Sequence, residues 1–179
     1  GLSSSASLEV AVGLAVSALA GTELDPTRLA LIAQRAENEY AGCACGIMDQ
    51  LVSARAEAGH ALLIDCRSLE CRSVPVPEEL RVLIIHSGVA HQNTDGSYNE
   101  RRRQCEQAAA HFAVPALRDA SVMRLEEPGD LDTVAFQRAR HVVTENDRTE
   151  AAAGALAMGD LARLGRLMSE SHASQRDDF

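Results

Sequence analysis

The hydrophobic pattern along the chain predicts helices interrupted by short strands. Residues 3–20 are apolar nearly all round, which indicates a buried helix with a serine N-cap that stops at Gly21. Asp25, followed by a proline, predicts the cap of a second helix that runs to about Tyr40. The same criteria predict these further elements: a helix at 47–56, strands at 60–66, 71–76 and 81–87, and helices at 97–112, 131–158 and 160–172.

Two prolines mark a break between two parts of the chain. Pro75 and Pro77 interrupt the pattern after the second strand, and proline cannot continue a paired strand. We therefore place a domain boundary here, with residues 1–76 in one domain and residues 77–179 in the next. The mixture of helices and short strands indicates an α/β or α+β class.

Composition and charge narrow the possible functions. The chain has 179 residues, 46% of them hydrophobic, and a formal net charge of −9. Nucleic-acid binding usually requires the opposite sign because phosphates are neutralised, so we expect no such partner. Lysine is absent, which excludes a phosphate loop of the Walker type. No apolar stretch is long enough for a membrane span, and five irregularly spaced cysteines predict reduced thiols in a cytoplasmic protein.

The serine-rich start of the chain is the first candidate site. Gly1 allows close backbone approach, and the hydroxyls and free amides of residues 3–5 lie where a helix start stabilises phosphate. An ordinary helix start rich in capping residues explains the same pattern. A helix terminus contributes at most about 2 kcal/mol, whereas catalysis needs at least about 8 kcal/mol, so we also expect Mg²⁺. The candidate carboxylate ligands are Glu37, Glu39 and Asp49.

Asp49 is a second candidate because it lies in the first turn of a predicted helix, directly after a glycine-containing turn. A rigid turn can hold its carboxylate toward a substrate hydroxyl, but acidic residues are also common there because they favour the helix dipole. Cys43 and Cys45 are too closely spaced for a zinc motif and are interpreted as small turn residues. The arginine run at 101–103 either binds phosphate or forms a solvated helix face paired with neighbouring glutamates.

Several segments together resemble the galactokinase family, part of the superfamily named for galacto-, homoserine, mevalonate and phosphomevalonate (GHMP) kinases. The serine-rich start alone indicates the superfamily. The segments 46–50 and 62–69, with sequences GIMDQ and LLIDCRSL, are far more specific when they occur in this order. The resemblance continues along the chain through these segments: 36–38, 98–105, 116–119, 140–146 and 170–174.

The resemblance implies an α+β, two-domain GHMP-kinase fold, of which this chain holds the end of the N-terminal domain and the start of the C-terminal domain. It implies a monomeric kinase that uses ATP and Mg²⁺ to phosphorylate galactose at its C1 hydroxyl. The implied sites are Gly1, Leu2, Ser3, Ser4 and Ser5 on the ATP phosphates, Ser5 and Glu37 on Mg²⁺, Asp49 as proton acceptor at the sugar, and Gly46 and Tyr98 as sugar contacts.

Two parts of the family pattern are absent from this sequence. One is an N-terminal sugar-binding stretch with a charge-stabilising arginine, and the other is a C-terminal glycine-rich segment. Both ends of the chain look like cuts, so we expect a fragment that is inactive by itself. Three alternatives remain open: another sugar-1-kinase such as an N-acetylgalactosamine kinase, a non-catalytic sensor that binds ATP and galactose, and an unrelated helical binding module.

Overall fold

The computed structural model describes residues 2–85, 88 and 96–179. These residues fall into two compact units, Gly1–Leu83 and Ile84–Phe179. The assignment of residues 1–76 and 77–179 to two kinase domains remains a prediction. No helix in the described ranges is long and apolar enough to cross a membrane.

The first unit combines three helices with a β-hairpin. A π-helical turn directly continues the second helix. The elements, in chain order, are α1 (Ser4–Leu19), α2 (Pro26–Ala36), the π-helical turn (Glu37–Ala41), α3 (Met48–Arg55), β1 (His60–Ile64) and β2 (Cys71–Pro75).

A glycine allows α1 and α2 to pack closely. A Cβ atom at Gly13 would collide with the side chain of Leu29, so any larger residue here would force Leu29 to move. Leu29 is buried together with Val10 and Ala33. The crossing holds α1 against the helix whose end leads directly into Glu37.

The predicted hairpin is confirmed, with slightly shorter strands. β1 and β2 pair antiparallel, and the register runs from His60 opposite Pro75 to Ile64 opposite Cys71. The Asp65 carboxylate closes the turn because it accepts a hydrogen bond from the backbone N–H of Arg67 at 2.8 Å.

The second unit is helical in the part of the chain that the structure describes. It contains α4 (Ser97–His111), 3₁₀ turns at Leu117–Asp119 and Val122–Glu126, α5 (Thr133–Ala157) and α6 (Leu161–Asp178). Small side chains let α4 and α5 approach closely around one aromatic ring. The buried core consists of Ala108, Ala109, Phe112, Leu117, Ala120, Ala135, Ala139 and Val143.

Aspartate caps fix the starts of three helices. Asp25 caps α2 by accepting from the backbone N–H of Arg28 at 3.0 Å, and Asp160 caps α6 by accepting from that of Arg163 at 2.9 Å. Both caps are predicted from the sequence and are confirmed. Asp132 caps α5 in the same way, so this helix begins two residues later than predicted.

The burial of α1 corrects one prediction. The sequence predicts a helix buried on all sides, but α1 buries one face, which includes Ala6 and Val10. On the other face Leu8 is 66% exposed and Leu19 is 90% exposed. Apolar composition makes burial favourable, but neighbouring elements decide which side is covered, and here α2 and α3 cover one side.

The predicted strand at 81–87 is wrong over the residues that the structure describes. Residues 81–85 form no strand, and Val82 and Leu83 are each 81% exposed. His86 and Ser87, like most of the predicted loop at 88–96, lie outside the described residues. An apolar run favours a strand, but pairing needs a neighbour, and in the described ranges β1 and β2 pair with each other.

Candidate active site at the start of the first helix

Ser3 connects the start of α1 to the start of α3. Its backbone has φ 49° and ψ 36°, a left-handed conformation that costs about 1–2 kcal/mol for a residue with a Cβ. Its side chain does not cap α1, which corrects the predicted serine cap. Instead the Ser3 hydroxyl donates to Asp49 Oδ1 at 2.8 Å. Two candidate residues that are 46 positions apart in the sequence are therefore in direct contact.

Ser5 makes the second contact between candidate residues. Its hydroxyl donates to Glu37 Oε1 at 2.9 Å. Glu37 begins the π-helical turn at the end of α2, and the residue is only 7% exposed. Wide turns of this kind are frequent at functional sites because they redirect side chains away from the regular helix face. The π-helical turn also ends α2 at Ala36, before the predicted end near Tyr40.

Gln50 and Glu9 complete the polar cluster. The Gln50 side chain, 1% exposed, donates through Nε2 to Glu37 Oε2 at 3.0 Å and to Glu9 Oε2 at 3.5 Å. Sequence reasoning missed both residues. Glu9 is the only charged residue in the first 20 positions. A single acid in a helix that is predicted to be buried is the sequence feature that could have identified Glu9 as a site residue.

The cluster is electrostatically unbalanced. Partial burial raises the pKa of Glu9, the nearby Glu37 carboxylate raises it further, and the Gln50 amide opposes the rise. Burial also raises the pKa of the Cys45 thiol, and the charge on Glu37 adds to that effect. Cys45 donates to Asn38 Oδ1 at 3.3 Å, as a protonated thiol can. An excess of negative charge at this position favours a cation.

The donor set fits a magnesium ion. Mg²⁺ prefers oxygen ligands and is usually held by one or two carboxylates together with substrate phosphates and water. Ser5 and Glu37 offer a hydroxyl and a carboxylate oxygen in contact with each other. No three histidine, cysteine or acidic side chains form a metal cage within residues 2–85, 88 and 96–179.

The other predicted residues of the first unit are exposed, have a different partner or lie outside the described residues. Leu2 and Ser4 are exposed at the start of α1, and Gly46 is exposed before α3. Gly1 lies outside the described residues. Among the candidate carboxylates, Glu39 does not join the cluster, because it pairs with Arg35 of α2 at 2.7 Å.

In the second unit, Tyr98 lies in the first turn of α4 and is 43% exposed, and its contact with the sugar remains a prediction. Two arginines of the run on the same helix pair with glutamates on the helix surface. Arg102 bonds Glu106 at 3.1 Å and Arg103 bonds Glu100 at 2.6 Å, which supports the solvated-face interpretation. None of the five cysteines, all of which lie in the described ranges, forms a disulfide.

The chain matches a protein-family model and a solved crystal structure. Residues 1–57, which span α1, α2 and α3, match the family model described as the GHMP kinases N terminal domain. The chain is also similar to the crystal structure of Lactococcus lactis galactokinase complexed with galactose, with 32% sequence identity and a TM-score of 0.84. The match covers 98% of this chain and 47% of the Lactococcus chain, so this chain spans about half the length of that galactokinase. The resemblance to GHMP kinases and galactokinases is confirmed, and with it the α+β fold class.

Proposed function

We propose that the intact protein containing this chain is a sugar kinase of the GHMP type, and that its sugar is galactose. The supporting observation is the convergence of two serine hydroxyls and two carboxylates at the start of α1, where Ser3 contacts Asp49 and Ser5 contacts Glu37. The similarity to a galactokinase complexed with galactose supports the choice of sugar.

The proposed reaction moves the γ-phosphoryl group of ATP to the C1 hydroxyl oxygen of galactose. The bond between the γ-phosphorus and its bridging oxygen breaks, a bond from the γ-phosphorus to the sugar oxygen forms, and ADP and galactose 1-phosphate are the products. Such transfers require mainly correct positioning and stabilisation of charge. The sugar hydroxyl loses its proton in this transfer, and in the proposed reaction a side chain of the protein accepts that proton.

The start of α1 is the proposed phosphate site, formed by residues 1–5. Ser3, Ser4 and Ser5 lie at or beside the first turn of a 16-residue helix, where unpaired backbone N–H groups favour anions. Ser5 and Glu37 would hold Mg²⁺ beside these phosphates. When bound, the ion would neutralise phosphate charge.

Asp49 is the proposed proton acceptor. It is exposed at the first turn of α3, and one of its carboxylate oxygens accepts from Ser3. The other oxygen can receive the proton of a sugar hydroxyl while Ser3 fixes the orientation of the carboxylate. Gly46 and Tyr98 are the proposed sugar contacts, the first in the turn before α3 and the second on α4.

A sugar panel tests the proposal. The intact protein is incubated with ATP, Mg²⁺ and galactose, N-acetylgalactosamine, glucose or mannose, while ADP release is followed and the product is assigned by ³¹P NMR. We expect ADP release with galactose and a phosphate ester on C1. Preference for N-acetylgalactosamine would indicate the alternative kinase, and tight galactose binding without ADP release would indicate a sensor.

A further inference from the structure

We propose that Gln50 is a positioning residue that fixes the Glu37 carboxylate in the orientation needed to bind the metal. The inference rests on the proposed function, because it takes Glu37 as a magnesium ligand. It concerns a residue that would touch neither substrate nor metal and would act on the metal through the Glu37 carboxylate.

The two oxygens of Glu37 are divided between two donors. Oε1 accepts from the exposed Ser5 hydroxyl at 2.9 Å, and Oε2 accepts from the buried Gln50 amide at 3.0 Å. A carboxylate held at both oxygens cannot rotate about its terminal bond without losing one contact. Gln50 therefore keeps Oε1 directed toward Ser5, where the metal would lie.

The same amide separates two acidic side chains. Gln50 Nε2 donates to Glu37 and lies 3.5 Å from Glu9 Oε2, so it places partial positive charge between the two carboxylates. Glu9 and Glu37 repel each other, and this repulsion contributes to the raised pKa of Glu9. Without the amide, Glu37 would turn away from Glu9 and lose its fixed orientation.

Packing alone does not explain a glutamine at this position. The side chain is 1% exposed, next to the buried Ile47 and Leu51, and within the described ranges its Oε1 atom has no hydrogen-bond partner. An apolar side chain of similar volume would fill the space without burying an unpaired oxygen. The protein thus buries an unpaired oxygen and keeps the amide donor. This indicates that the hydrogen bond from the amide is the reason for a glutamine at this position.

The test measures metal binding and catalysis in the intact protein. Gln50→Met keeps the volume and removes the donor. Binding of Mn²⁺ in the presence of ADP is followed by the loss of the free Mn²⁺ electron paramagnetic resonance signal, and the Mg²⁺ concentration for half-maximal rate is measured separately. We expect both constants to rise about 10- to 100-fold, as is usual when a residue that orients a metal ligand is removed. The KM for the sugar should stay unchanged.

Gln34→Met is the matched control, because the Gln34 side chain donates to the backbone carbonyl of Cys45 at 3.1 Å and, within the described ranges, forms no hydrogen bond with the Glu37 carboxylate. It should leave both metal constants unchanged. Gln50→Asn, which withdraws the amide by one methylene, is the second variant if Gln50→Met does not fold, and we expect the same direction of change.

The outcomes separate the two proposals. If Glu37→Ala abolishes Mn²⁺ binding while the folded Gln50 variant binds Mn²⁺ normally, the positioning role of Gln50 is wrong and the metal site stands. If Glu37→Ala leaves Mn²⁺ binding intact, the metal assignment itself is wrong, and the inference about Gln50 is wrong with it. Equal weakening by Gln50→Met and Gln34→Met would indicate a general packing effect and would also overturn the positioning role.

Discussion

The cluster at the start of α1 and the contact between α5 and α6 are both rich in polar side chains, but they differ in charge balance. At the first, Glu9 and Glu37 lie together, with the Gln50 amide and the Ser5 hydroxyl as their hydrogen-bonding partners. At the second, two acids have arginine partners. Arg148 pairs with Glu145, and Arg140 forms two hydrogen bonds to Asp178.

The contact between α5 and α6 also contains two of the segments that resemble the galactokinase family. The sequence assigns no catalytic role to residues 140–146 and 170–174. The structure places the two segments across from each other on α5 and α6. Ser171 donates to Glu145 at 2.5 Å, and His141 Nδ1 lies 3.0 Å from Ser174 Oγ. These polar groups satisfy one another, which indicates a structural role. The acidic pair near Ser5 has no arginine partner in the described ranges, and this difference supports the proposed cation site.

The largest expected effect comes from Asp49. Asp49→Asn should lower kcat by about 10²–10⁴, the usual contribution of a positioned acid or base, with little change in the KM for ATP. The fold should survive, because the residue is exposed and an asparagine carbonyl can still accept from Ser3. Steady-state kinetics of the intact protein measure the effect.

Glu39→Gln is the control for Asp49, since Glu39 is an acid of the same unit whose partner is Arg35. Its kcat should remain within about twofold of the wild type, because exposed pairs contribute little. Comparable losses in both variants would show that general acidity, and not the Asp49 carboxylate, supports turnover.

A smaller effect is expected at the metal ligands. Ser5→Ala and Glu37→Ala should each raise the Mg²⁺ concentration for half-maximal rate by at least about tenfold, because Mg²⁺ accepts few substitutes for oxygen ligands. Ser7→Ala is the control, since Ser7 lies on the same helix with its hydroxyl 3.4 Å from that of Ser53. A Mg²⁺ titration that is identical in all four proteins would remove Ser5 and Glu37 from the metal site.

Substitutions at the contact between α5 and α6 should lower the stability of the protein and leave its activity unchanged. Arg140→Ala leaves Asp178, 6% exposed, without its charged partner, and we expect a loss of about 1–3 kcal/mol in the free energy of unfolding. Arg102→Ala breaks an exposed pair and should cost less than about 1 kcal/mol. Urea unfolding measures both, and kcat per folded molecule should not change. Equal losses from the two variants would contradict the structural role of the Arg140 pair.

The smallest effect concerns the pH dependence of that same region. Burial lowers the pKa of His141 below its ordinary value of 6.5, and the nearby Arg148 lowers it further. The folded state therefore favours neutral His141, and this stability is present above pH 6.5 and is lost as the pH falls through and below that value. His141→Gln should flatten the dependence of unfolding free energy on pH in this window.

Ser174→Ala identifies the cause of the pH effect. It removes the hydroxyl that contacts His141 and leaves the ring beside Phe179, whose centroid is 4.6 Å away. The pH dependence should persist, because burial is the main cause. Its disappearance in Ser174→Ala would instead assign the effect to the hydrogen bond.

Local chemistry in the sequence accounts for much of the fold. Asp25 and Asp160 fix helix starts because a cap depends on backbone groups two or three positions away. The hairpin follows similarly from two β-prone segments around a short turn. The strand expected at 81–87 lacks such a local determinant, since pairing depends on a partner strand that the residues themselves do not specify.

In the candidate site, too, some features follow from the sequence and others only from the tertiary structure. Residue types alone make Ser5, Glu37 and Asp49 plausible ligands or acceptors, and the family resemblance gives them roles. Only the tertiary structure places Ser3 on Asp49 and Ser5 on Glu37, because those contacts cross 46 and 32 sequence positions and depend on how α1 packs against α2 and α3. The same packing buries the Gln50 amide between two acids, a position that no local pattern of hydrophobic and polar residues encodes.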